Sequence, residues 1–135
     1  MNLSLSDLWT AAGVILGFQA TAFGWRISQE SEVANRNDIV WLPPADYLNL
    51  AAMLTMVLGV FLGAALDITS IGQTKRLFGL STLLFVCHGI AVAGHYELYG
   101  HGHKRSFRWF PFQEKAAFAI TVLVLATYCW LAWLR

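Results

Sequence analysis

All four histidines of the chain fall between Leu83 and Pro111, His88 and His95 in an apolar stretch and His101 and His103 in a loop of alternating basic and aromatic residues. Thr74, Ser81, His88 and His95 recur every seven residues. A seven-residue step drifts only about 20° around an α-helix, so these side chains share one face. Ionisable groups inside a membrane helix face the bundle interior or a water-filled cavity, because facing lipid is costly. The stripe Ser81, His88, His95 therefore reads as the lining of a path. The plainer alternative is a pair of neutral histidines hydrogen-bonded to neighbouring helices.

His95, Glu97, His101 and His103 place three imidazoles and a carboxylate within nine positions. That mixture suits zinc, nickel or copper, and Gly100 and Gly102 would let the backbone fold around an ion. The spacing matches no established zinc motif, and a solvated basic loop is the competing reading. A haem held by two histidines needs ligands on facing helices. Here both histidines of the apolar stretch share one helix, so a haem would require Met53, Met56 or a second copy of the chain. If His101 and His103 stay unligated, they join Lys104, Arg105 and Arg108 beside Trp109 in a patch suited to anionic lipid headgroups and sensitive to pH.

Other chemistries lack their residues. Cys87 and Cys129 are single cysteines inside apolar stretches, where a small polarizable side chain is packing material. No Gly-rich phosphate loop or nucleophile triad is present. Asp67, Glu97 and Glu114 lie at the ends of apolar stretches and read as capping or interfacial groups. The chain reads as a non-enzyme with no required cofactor.

The elements that position these residues follow from composition. Of the 135 residues 57% are hydrophobic and 13% charged, against about 25% charged in soluble domains. A formal net charge of +1 leaves no basic run for nucleic acid. Four apolar stretches, 8–26, 47–66, 77–97 and 112–134, each approach the length of about 20 residues that crosses a bilayer. They predict a single all-α integral membrane domain over residues 1–135: four antiparallel transmembrane helices with short turns. The polar run after Arg26 is able to prolong the first helix by two turns, Pro43 and Pro44 forbid continuation from the preceding chain, and Asp46 suits the N-cap of the second span. Pro111 suits the first position of the fourth.

Small residues mark two packing seams. Gly13 and Gly17 form a GxxxG with Gly24 on the same face, and Ala51, Thr55, Gly59 and Gly63 follow at four-residue steps. Such faces let helix backbones approach closely in lipid. Lys75, Arg76 and Arg135 lie on one side of the predicted bundle, and Arg26, Arg36, Lys104, Arg105, Arg108 and Lys115 on the other. The positive-inside rule then places both termini outside the cytoplasm. The sequence predicts a multi-pass, self-associating, channel-like or pore-forming protein whose copies surround a shared path. A non-conducting accessory subunit bound to another membrane protein, and a metal- or haem-binding redox component, are the alternatives.

Overall fold

A computed structural model describes residues 4–37, 42–100 and 108–135. Among them the chain forms four helices: α1 Leu5–Asn37, α2 Pro44–Ala65, α3 Ile71–His95 and α4 Phe112–Leu134. No strand occurs among the described residues. Helices α2, α3 and α4 are long and apolar enough to cross a membrane. The first helix does not reach that standard. Gln19 interrupts its apolar residues, and the helix continues past Arg26 through the polar run to Asn37. No proline interrupts this run, and Arg26 meets Glu30 one turn on, at 3.0 Å.

Each boundary has a local cause. Ser4 opens α1, its hydroxyl accepting from the Asp7 amide at 3.2 Å and donating to the Asp7 carboxylate at 2.6 Å. Helix α2 starts with Pro44 in its first turn, where a missing N–H costs nothing. Asp46 does not cap it: Pro43 occupies the cap position and the Asp46 side chain turns inward. Between Thr55 and Leu62 the winding of α2 widens to π-type. The helix closes with Asp67 at φ 54° and the Ile68 amide returning to the Gly63 carbonyl at 2.8 Å. Helix α3 opens on a reciprocal cap between Ser70 and Gln73. It closes as α2 does, with Glu97 at φ 54° and the Leu98 amide on the Ala93 carbonyl at 3.0 Å. These six-to-one bonds satisfy carbonyls that a helix end leaves open. Pro111 is the cap residue of α4, one position earlier than the sequence suggests.

Two apolar clusters tie the helices together. Ala45, Leu48, Ala52, Leu84, Cys87, Ala91 and Ala117 join α2, α3 and α4. Ala12, Met56 and Val60 join α1 to α2, flanked by Trp9, Phe61 and Leu77. Close approach depends on small residues. A Cβ on Gly94 would stand 2.8 Å from the Gln113 carbonyl oxygen, and one on Gly59 would stand 2.8 Å from Leu77 Cδ1.

Candidate functional site: a buried ionisable column

Polar residues of all four helices meet where α2 and α4 begin and α3 ends. Arg26 is 1% exposed, Asp46 and Glu114 0%, His95 3% and His88 4%. Burying this many ionisable groups is costly unless each is paired. The partners come from different helices, so the pairing also fixes how the helices meet.

Arg26 stands at the centre. Its Nε donates to Asp46 Oδ1 at 3.0 Å, and its Nη2 donates to Asp46 Oδ2 at 3.1 Å and to Glu30 Oε1 at 3.0 Å. Its Nη1 donates to the Tyr96 hydroxyl, which in turn donates to Glu30 Oε1 at 3.2 Å. One guanidinium therefore lies between two carboxylates, with its planar fork matched to Asp46.

Two histidines flank this centre. His95 Nδ1 lies 2.8 Å from Glu114 Oε2, while Glu114 Oε1 accepts the Ala45 amide at 2.7 Å. His88 Nδ1 lies 3.0 Å from the Ala45 carbonyl oxygen, with Asp46 Oδ1 at 3.8 Å. A carbonyl oxygen only accepts, so His88 Nδ1 carries the proton in that bond. In the neutral ring Nε2 is then an acceptor, and among the described residues it has no hydrogen-bond partner.

Below His88 the polar groups are amides and hydroxyls. Ser81 Oγ donates to the Ala52 carbonyl at 2.7 Å and accepts from Gln19 Nε2 at 3.1 Å, while Asn49 Nδ2 donates to the Gln19 carbonyl at 2.9 Å. These carbonyls fix both amide orientations. Gln19 Oε1 and Asn49 Oδ1 are consequently buried acceptors with no partner among the described residues. Acceptors in this condition are sites for an ordered water. Met56 and Val60, both fully buried, lie further along α2.

The stripe expected from the heptad spacing thus points inward: Thr74, Ser81, His88 and His95 are all buried. It contacts protein side chains and carbonyls of the same chain. His95 is enclosed by Glu114, because the start of α4 folds over it. Glu114 is correspondingly a fully buried partner of two helices rather than an interfacial group. Of the metal-ligand candidates, His95 faces Glu114, Glu97 sits in the left-handed helix closure, and His101 and His103 lie outside the described residues. Lys104 and Arg105 of the expected lipid-facing patch also lie outside the described residues. Arg108 and Trp109 are exposed, the Trp109 indole donating to the Leu42 carbonyl at 3.4 Å. Met56 packs with Ala12 and Val60, and His88 Nδ1 is held by the Ala45 carbonyl.

The two small-residue seams differ. Gly59 packs on Leu77, Gly63 on Thr69, Ala51 joins the α2–α3–α4 cluster, and the Thr55 hydroxyl bonds the Ala51 carbonyl at 2.8 Å. Gly13, Gly17 and Gly24 instead face open space, with nothing within 4 Å of a Cβ placed on any of them. Comparison of the chain with known protein families, with curated proteins and with solved structures finds no match.

Sequence reasoning passed over Gln19 and Asn49, and it placed Arg26 and Tyr96 at the ends of predicted spans, Glu30 in the polar run after the first span and Asp46 at a cap. A signal was available for Gln19, an amide at the centre of an otherwise apolar run. Asp46 and Glu114 each stand three residues after the proline at the cap of their helix, where a capping role and a buried pairing look alike in one dimension.

Proposed function

We propose that the chain is a multi-pass integral membrane protein of four antiparallel helices that conducts protons along its buried ionisable column. It is channel-like in the restricted sense of a hydrogen-bonded relay. The supporting observation is the buried hydrogen-bonded cluster of Glu30, Tyr96, Arg26 and Asp46, in which Arg26 holds the carboxylates without giving up a proton, with His88 Nδ1 3.8 Å from Asp46 Oδ1, a gap that a bridging water must close. Hydrated ions need an open bore, whereas protons need only adjacent donors and acceptors. Ionisable groups buried in membrane helices commonly serve as such relays. Beyond His88 the orphaned oxygens of Gln19 and Asn49 suit relay waters, and Met56 with Val60 forms an apolar barrier that must hydrate for a proton to pass. The distribution of Lys and Arg favours both termini outside the cytoplasm.

Proteoliposomes holding a pH-sensitive dye test this under an imposed membrane potential. Proton entry several-fold above protein-free vesicles, lost in His88→Gln at unchanged helicity and elution volume, is the expected result. Wild-type entry no faster than in empty vesicles overturns the reading, and full entry through His88→Gln removes the path from it.

One observation favours a second reading. The open face at Gly13, Gly17 and Gly24 suits helix-to-helix association, either between copies of the chain or with another membrane protein. A protein that co-purifies through this face and shows no flux would be an accessory subunit instead.

A further inference from the structure

A groove of about 350 Å³ opens sideways between α1 and α3, lined by Trp25 and Arg26 on one side and Phe85, His88, Gly89 and Val92 on the other. Its volume lies at the lower end of the range of about 300 to 1,000 Å³ in which small-molecule sites fall. It opens beside the ionisable column and shares His88 and Arg26 with it as walls. It opens where the outward surface is apolar: Trp25 and Val86 on its rim are exposed.

Three features narrow what fits. The first is an acceptor. His88 is 4% exposed and lines the groove, and its Nδ1 proton is held by the Ala45 carbonyl at 3.0 Å. Nε2 is then a lone pair in search of a donor. The second is charge. Arg26 also lines the groove, but Asp46 and Glu30 engage its guanidinium. Two carboxylates around one cation disfavour an anionic headgroup. The third is flatness. The Phe85 and His88 rings lie nearly parallel, 14° apart with centroids at 6.2 Å, and both residues line the groove together with Trp25. A planar ring is the complementary shape.

We infer that this groove is a lateral binding site for a neutral, membrane-dissolved phenolic ring, such as a hydroquinone carrying an apolar tail, whose hydroxyl donates to His88 Nε2. The ring lies against Phe85 and Trp25, and the tail leaves through the exposed rim. A saturated acyl chain would fill the apolar walls and leave Nε2 unpaired. A phospholipid phosphate would bring a third negative charge toward Asp46 and Glu30.

Gly89 supplies a variant that spares the fold. A Cβ there meets nothing within 4 Å, so the Gly89→Leu side chain starts in open space on the groove wall. The experiment titrates full-length protein in nanodiscs with decylhydroquinone under anaerobic conditions. It follows the Nε2 resonance of 15N-labelled His88 and the bound ligand. Saturable binding is expected, with a shift of the Nε2 resonance and a loss of affinity of about tenfold or more in Gly89→Leu. The dimethyl ether of the same compound, which has no hydroxyl proton, should bind about five- to tenfold more weakly, the worth of one hydrogen bond. Equal binding of the ether overturns the donor to His88. Unchanged binding by Gly89→Leu, or no saturable binding by the wild type, overturns the site. Both readouts are independent of proton flux, so this inference and the proposed function fail separately.

Discussion

Ala45 and Glu114 are 69 positions apart in the chain and are joined by a 2.7 Å hydrogen bond, the α4 carboxylate accepting an amide from the first turn of α2. The other oxygen of the same carboxylate holds His95 of α3 at 2.8 Å. One side chain thereby links three helices.

Glu114→Ala strands the Ala45 amide and His95 together. Leaving a buried hydrogen-bonding group without its partner costs about 1–3 kcal/mol. Thermal unfolding in detergent should register that loss. Glu114→Gln retains an acceptor for Ala45 and should lose distinctly less. Equal stability of Glu114→Ala and the wild type would show that the carboxylate is not enclosed.

Arg26→Lys keeps the charge and removes the fork. An ammonium has three donors on one nitrogen and cannot span Asp46, Glu30 and Tyr96 as the guanidinium does. A loss of about 1.5–3 kcal/mol follows from forfeiting a charge-assisted bond. A lysine variant as stable as the wild type would mean that only the positive charge matters at this position.

The glycines of α1 and α3 should respond in opposite ways. Gly94→Ala drives a methyl to 2.8 Å from the Gln113 carbonyl oxygen, an overpacking against backbone worth about 1–3 kcal/mol. Gly13→Ala meets nothing within 4 Å and should leave the unfolding temperature of the isolated chain unchanged. Its effect belongs to association: a changed monomer-to-oligomer ratio in native mass measurements is the expected readout. A destabilised Gly13→Ala monomer would contradict the open face.

Acid should fray the first turn of α1. The Ser4 hydroxyl and, second, its amide donate to the Asp7 carboxylate and hold its pKa below the usual value of 3.8. A depressed carboxyl contributes stability that is fully present above the unfolded value and is lost as pH falls through the folded one. Hydrogen exchange of the first-turn amides should therefore accelerate, relative to its intrinsic rate, below about pH 4. In Ser4→Ala, which keeps the amide donor and loses the hydroxyl, that acid-dependent step should shrink. A step of undiminished size would assign the effect to another group.

The sequence made the apolar stretches and the heptad stripe visible because both are properties of a single helix. Hydropathy locates α2, α3 and α4, and periodicity alone puts Thr74, Ser81, His88 and His95 on the buried face. The partners of that stripe were not visible. Arg26, Asp46 and Glu114 lie at helix positions where capping, interfacial solvation and burial share one local pattern, and only the meeting of four helices decides among them. The glycine seams show the same limit. Gly59 and Gly13 sit in comparable patterns, yet one touches Leu77 and the other touches nothing, because spacing reports a face and not its neighbour.

The partners of Arg26 emerge from the ribosome one after another. Glu30 follows at once, Asp46 comes 20 residues later and Tyr96 comes 70 residues later. Ala45 and His95 wait for Glu114 of α4. Until α4 docks, that amide and that imidazole lack the carboxylate that joins them, so its docking is the step that draws α2 and α3 into one register.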